Sequence, residues 1–270
     1  MTTTATTRAR VPILMYHEIA VPSQTRSRLA VSPARFATQL DYLRDAGFTA
    51  ITAADLSARL AGNAGPLPER PVVLTFDDGY ADFHRVAMPL LDSHGFTGTL
   101  FVTTGWAHDA EMRQAAPGRM LTRAQLAEAA LAGIELAAHT RTHPQLDQLP
   151  EPLVRDELGT SKHWLEDALG QPVPGLAYPF GYSSARVRRA ARDLGHGYAC
   201  AVGNTMMTDE PDLFALPRLT IRRTTGLPVF QEVARGASVP QIYLQDRVLT
   251  KGWAMVRRTR AAIGSVSRGA

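Results

Sequence analysis

A chain of 270 residues with 45% hydrophobic content can bury one barrel-sized core and demands no second domain. Its single cysteine, Cys200, excludes an intramolecular disulfide and reads as a packing residue of an apolar strand. No stretch has the form of a signal peptide or a membrane span, which points to the cytoplasm, and the net charge of +4 accompanies no nucleic-acid-binding motif.

Residues 1–10 are polar and expected to be flexible. Val11-Pro12-Ile13-Leu14-Met15-Tyr16 then reads as a strand that ends at His17. Ser32-Pro33 has the form of an N-cap followed by proline at the first helical position, with Phe36, Leu40 and Leu43 recurring on one face. A strand is expected over 48–52, a loop over 61–66, and a buried strand through Val72, Val73, Leu74 and Phe76, followed by a helix through Val86, Leu90 and Leu91. Gly98 to Thr103 is another buried strand, 106–118 a polar loop suited to the mouth of a site, and Thr122 the opening of the next helix. Further on, a strand over 133–138, a long helix over 151–169, a strand over 176–178, a helix over 184–194 and a strand over 198–202 continue the alternation. Strands alternating with helices argue for an α/β barrel with a parallel sheet.

The chemistry concentrates at two strand ends. Thr75-Phe76-Asp77-Asp78-Gly79-Tyr80 places adjacent carboxylates where a buried strand opens into a loop, the position where α/β folds carry their sites. Neighbouring side chains on a strand point to opposite faces, so one aspartate can bind metal while the other handles protons. Gly79 gives the chain its freedom to turn and lets another group approach closely. Alone, Asp-Asp-Gly is also an ordinary solvated turn.

His139-Thr140-Arg141-Thr142-His143 begins at the end of the strand over 133–138. If the chain turns helically there, both imidazoles share a face and reach one ion. With Asp78 they make a two-nitrogen, one-oxygen set that leaves a position for water on zinc. Such an ion acidifies water and polarises a carbonyl, which suggests hydrolysis of an amide or ester.

With these motifs in place, the sequence resembles the polysaccharide deacetylases, carbohydrate esterase family 4 with its nodulation-type deacetylase homology domain. Thr75-Phe76-Asp77-Asp78-Gly79 and His139-Thr140-Arg141-Thr142-His143 match that family's first two motifs completely and in order. The resemblance implies a single-domain distorted (β/α) barrel over residues 11–235, Asp77 as general base, and Asp78, His139 and His143 as ligands of a divalent metal, zinc or another transition ion. The third motif is partial, because Ala177 in Ala177-Tyr178-Pro179-Phe180-Gly181 stands where the family carries an arginine that holds the base. Phe180 N–H can still be the oxyanion donor. Arg218, in Leu216-Pro217-Arg218-Leu219, is the candidate for the missing guanidinium.

The family's C-terminal Leu-x-His motif is absent, since no histidine follows His196. The N-terminal strand ending in His17 is similar instead to a circularly permuted branch, that of the poly-N-acetylglucosamine deacetylases. On that resemblance His17 is the general acid. The implied activity is removal of an N-acetyl group from a free, polymeric or lipid-linked sugar, giving acetate and an amine. Another amide or an O-acetyl ester would use the same core, and a decayed carbohydrate-binding barrel would show the same departures at Ala177 and the C-terminus.

Residues 236–270 form a basic extension. Lys251, Arg257, Arg258, Arg260 and Arg268 lie beside Leu249, Trp253, Val256 and Ile263 with no acidic residue from 251 onward. This is the pattern of an amphipathic helix that rests on an anionic membrane surface or packs on the barrel.

Overall fold

A computed structural model of the chain describes residues 10–248, apart from 22, 108 and 110–115. All but Arg10 of the expected flexible segment 1–10, part of the mouth loop and the basic segment from 249 onward lie outside the described residues. No helix among the described residues is long and apolar enough to cross a membrane.

Strands and helices alternate as the apolar pattern requires. They run β1 (Ile13–Tyr16), α1 (Pro33–Asp45), β2 (Thr49–Ile51), α2 (Ala53–Leu60), β3 (Pro71–Phe76), α3 (Met88–Ser93), β4 (Thr99–Val102) and α4 (Arg123–Leu131). They continue with β5 (Glu135–Ala138), α5 (Glu151–Leu169), β6 (Gly175–Ala177), α6 (Ala185–Asp193), β7 (Tyr198–Cys200), β8 (Leu219–Thr220), α7 (Leu227–Ala234) and α8 (Val239–Ile242). Ser32 caps α1 by accepting from Arg35 N–H, and Thr122 and Gln125 close a reciprocal capping box on α4. The expected helix through Val86 begins instead as a π-turn over Phe83–Ala87 before α3. Pro89 has no N–H for the carbonyl four residues back, and the wider turn precedes it.

All described strand pairs are parallel, in the order β7-β6-β5-β4-β3-β1-β8, with β2 paired to β3. The sheet curls into a distorted barrel. β1 lies between β3 and β8, so the strand that opens the chain is seated beside the one that ends the sheet. The remaining gap is narrowed by 213–216, which pairs with β7 through Ala199 N–H to Leu213 C=O and Ala201 N–H to Leu216 C=O.

Side-chain alternation divides the core in two. Leu14, Tyr16, Leu74, Phe76, Leu100, Leu136, Ala138 and Leu176 point outward under the helices with Phe36, Leu40 and Leu158. Ile13, Val73, Phe101, Ala137, Ala177 and Cys200 fill the barrel interior. Continuing the inward parity in steps of two residues reaches His17 from β1, Asp77 from β3 and His139 from β5. The period of the strand therefore sets which chemistry faces the axis. The opposite end is closed by Glu135, which accepts from Tyr198 Oη (2.5 Å), Thr99 Oγ1 (2.8 Å) and Ala54 N–H (3.0 Å).

Residues 236–248 pack onto this body. Tyr243 is buried and donates to Thr220 C=O (2.8 Å), and Arg222 pairs with Asp246 (2.8 Å).

Candidate active site

At the C-terminal end of the strands the adjacent aspartates separate. Asp77 continues β3 inward, whereas Asp78 takes a left-handed backbone (φ 75°) ahead of Gly79 (φ 89°) and swings towards the histidines. A Cβ on Gly79 would lie 3.4 Å from the Val102 side chain, so the glycine is used for its conformation and for close passage of the chain.

Asp77 is gripped by Arg218. The guanidinium donates to both carboxylate oxygens, Nη1 to Oδ1 at 2.5 Å and Nη2 to Oδ2 at 2.9 Å. Its remaining donors reach Ala201 C=O (3.2 Å) and Thr75 Oγ1 (3.3 Å), and its face lies 5.2 Å from the Phe101 ring centroid. Arg218 is fully buried. Burial pushes the Asp77 carboxyl up, but Arg218, with His139 and His17, overrides it and holds the group at about 2.

Asp78, His139 and His143 converge so that one ligand atom from each lies within 4.8 Å of the others. His139 donates from Nδ1 to Ala177 C=O (2.8 Å), which fixes its tautomer and leaves the Nε2 lone pair facing Asp78 Oδ1 at 3.6 Å. His143 Nε2 lies 3.5 Å from the same oxygen. Burial lowers both imidazoles, to about 3 and about 4, so these approaches join neutral rings to a carboxyl group and are not ion pairs. Burial and the Asp77 charge push Asp78 the other way, to about 8, and its buried Oδ1 accepts no hydrogen bond among the described residues. Two lone pairs and an orphaned carboxylate oxygen around one space fit a divalent cation with a zinc-type donor set.

The loop that carries the histidines is not helical, contrary to the geometry expected from their spacing. Thr140 (φ 67°) and His143 (φ 61°) are left-handed, and Thr140 Oγ1 accepts from His143 N–H (3.0 Å). The turn is held from α5 by the buried Glu157, which accepts from Arg141 N–H (2.9 Å), Thr142 N–H (2.8 Å) and Thr142 Oγ1 (2.6 Å). Sequence reasoning missed Glu157. The available signal was an acid on the apolar stripe of α5, among Val154, Leu158 and Leu165.

His17 lies with Nε2 4.0 Å from Asp77 Oδ2 and its side chain only partly exposed, and burial lowers its pKa. A second contact that sequence reasoning missed seats the strand end carrying it: Asp82 Oδ2 accepts from Ile19 N–H (2.7 Å). Phe180 is left-handed (φ 58°), its N–H makes no hydrogen bond among the described residues, and its ring stands 4.8 Å from His143. The Trp106 ring stands 5.0 Å from the same imidazole. The structure thus brings together Asp77, Asp78, His139, His143, His17 and Arg218, with Phe180 at the rim. Ala177 contributes its carbonyl, which any residue there would supply.

A family model described as polysaccharide deacetylase matches residues 64–199, which carry both aspartates and both histidines. The chain belongs to the polysaccharide deacetylase family. It is 28% identical over 216 residues to YxkH of Bacillus subtilis (strain 168), named a polysaccharide deacetylase, spanning 79% of this chain and 72% of that one. It is 27% identical over 135 residues to the poly-beta-1,6-N-acetyl-D-glucosamine N-deacetylase of Escherichia coli (strain K12), spanning 47% of this chain but 20% of that longer protein. Among solved structures, the Streptococcus pyogenes deacetylase PplD in complex with acetate superposes with a TM-score of 0.75 at 27% identity, covering 84% of this chain and 99% of PplD. IcaB from Ammonifex degensii gives 0.71 at 26% identity, covering 83% and 97%. These overlaps extend the likeness beyond the family-model stretch to the whole barrel.

Proposed function

We propose that the chain is a metal-dependent hydrolase that removes the acetyl group from an N-acetylated sugar of a glycan, releasing acetate and a free amine. The observation that carries this is the Arg218–Asp77 pair set beside the Asp78, His139 and His143 cluster, an oriented proton acceptor next to a cation-ready donor set. Asp78, His139 and His143 hold the ion, for which zinc suits the ligands best. When bound, the ion supplies Lewis-acid polarisation of the acetyl carbonyl and acidifies a water.

Asp77 is ionised at any working pH, and the two-pronged grip of Arg218 fixes the direction of its lone pairs. It accepts the proton of the attacking water as the carbonyl carbon becomes tetrahedral. Phe180 N–H donates to the oxygen on which negative charge develops. His17, 4.0 Å from Asp77 Oδ2, is placed to return a proton to the departing nitrogen as the C–N bond breaks. The water oxygen ends in acetate and both of its protons end on the amine as ammonium, one of them passed from Asp77 through His17 to the departing nitrogen. Support from relatives is of the same kind: the PplD structure holds acetate, and the E. coli relative is named for N-deacetylation of a poly-N-acetylglucosamine.

Acetate release from N-acetylglucosamine oligomers by metal-loaded protein tests the reading. Asp77→Asn is expected to cut the rate by about 10²-fold to 10⁴-fold with metal content unchanged. Undiminished release would refute the assignment. Full metal loading with no release from any acetylated glycan would favour the carbohydrate-binding alternative.

A further inference from the structure

The face that carries the site is bordered on one side by guanidiniums with no matching carboxylates. Loop 17–32 follows β1 and loop 221–226 follows β8, so both rise from the catalytic ends of adjacent strands. They meet through Arg223 N–H to Arg28 C=O (3.0 Å) and Arg223 Nη2 to Thr25 C=O (2.8 Å), and Arg35 of α1 donates to Arg223 C=O. Arg26 and Arg28 are exposed. Among the described residues no carboxylate pairs with Arg26, Arg28, Arg35 or Arg223, whereas neighbouring Arg222 is neutralised by Asp246.

Next to this ridge a cavity of about 310 Å³ runs between Thr25 and Tyr80, the residue two after Asp78. Its wall includes Arg85 and Arg119, both exposed and in no ion pair among the described residues. Two carboxylates also line it. Asp82 is buried and accepts from Ile19 N–H, which leaves Glu18 as the acid that faces the opening. The cavity itself is lined by two guanidiniums and two carboxylates, one of them sequestered, and Arg26, Arg28, Arg35 and Arg223 add four more guanidiniums on the adjoining loops. Such a local field raises the concentration of anions at a site and repels cations.

We propose that the glycan taken by this site is itself anionic, carrying carboxylate or phosphodiester groups on sugars next to the N-acetylated one. The inference rests on the deacetylase reading and names its substrate class. A neutral homopolymer gains nothing from the arginine border, and a polymer already rich in free amines is repelled by it. An acidic repeat places its negative groups against Arg26, Arg28 and the cavity arginines while the acetamide lies at Asp77 and Asp78.

Equilibrium binding to full-length Asp77→Asn protein tests this, with three labelled probes of equal length. One alternates glucuronate with N-acetylglucosamine, one is a chain of N-acetylglucosamine 1-phosphate units, and one is a neutral chitin oligosaccharide. At least one charged probe is expected to bind roughly ten-fold tighter than chitin. The advantage should vanish between about 0.05 M and about 0.5 M salt. It should also vanish in protein that additionally carries Arg26→Glu and Arg28→Glu, two exposed side chains whose replacement leaves no buried partner. Which charged probe is preferred separates uronate from phosphodiester. Equal binding of all three, binding of none, or a preference that survives the double substitution would overturn the proposal. Acetate release from the same probes by the wild-type protein separates the two readings. Release without charge preference sinks the anionic substrate alone, and charge-dependent binding without release from any probe sinks the deacetylase reading.

Discussion

Asp77 and Arg218 are buried together, and each is tolerable only because of the other. Removing the guanidinium leaves a carboxylate in a dry site, the case in which breaking a buried pair costs most. Arg218→Ala is expected to lower unfolding stability by about 3–5 kcal/mol at neutral pH, read by urea titration. Arg218→Lys should restore little activity, because a single ammonium cannot make both bonds. The sign of the pH dependence follows from Asp77. Its folded-state pKa, about 2, lies below the ordinary 3.8, so its contribution to stability is complete above pH 3.8 and is lost as pH falls through about 2. The deficit of Arg218→Ala should therefore be smaller at about pH 2 than at about pH 7, with the change falling below about pH 3.8. A deficit of equal size at both would mean that the pair matters through packing alone. Arg218 was legible only as a suspicion, since an arginine after a proline near a late strand is ordinarily a surface residue. What no sequence pattern carries is its reach from the residue before β8 to Asp77 at the end of β3.

Elements explain why some of the site could be read and some could not. Strand endings are a local property, so the apolar runs before His17, Asp77 and His139 were enough to place these residues at strand ends, and their common inward face emerges from the sheet registers. The histidine loop follows no such period. A spacing of four suggested a helical turn, but Thr140 and His143 are left-handed and the turn is closed by hydrogen bonds to α5, fourteen residues after His143. Those bonds pair a charged acceptor with two backbone donors and a hydroxyl, and Glu157→Ala leaves all three without an acceptor. The expected cost is about 2–4 kcal/mol, by the same denaturant measurement. Glu157→Ala should also weaken zinc binding by at least about ten-fold in competition with a chelator, because the two imidazoles lose their fixed separation. A stability loss with unchanged zinc affinity would show that α5 supports the fold and not the ligand geometry.

At the scale of the whole molecule, the barrel accommodates a reordered chain because neighbourhood in the sheet does not depend on order in the sequence. β1 opens the chain yet pairs with β3 and with β8, so His17 reaches the axis from the side on which Arg218 enters. The fold class and most of the order from β1 to β7 were legible, since each strand there is a short apolar run between helical periods, whereas α2 and the elements after β7 were not read. The arginine border of the cleft was not legible either, because Arg26, Arg28, Arg35 and Arg223 are scattered along the chain and only the meeting of two loops collects them. The central claim is that one ion held by Asp78, His139 and His143 serves hydrolysis of an acetamide. The most direct measurement is acetate release by chelator-stripped protein as zinc is added back. Activity is expected to rise from near zero and saturate at one ion per chain, with no recovery in His139→Ala. Full acetate release by the stripped protein, or normal recovery in that variant, would contradict the account.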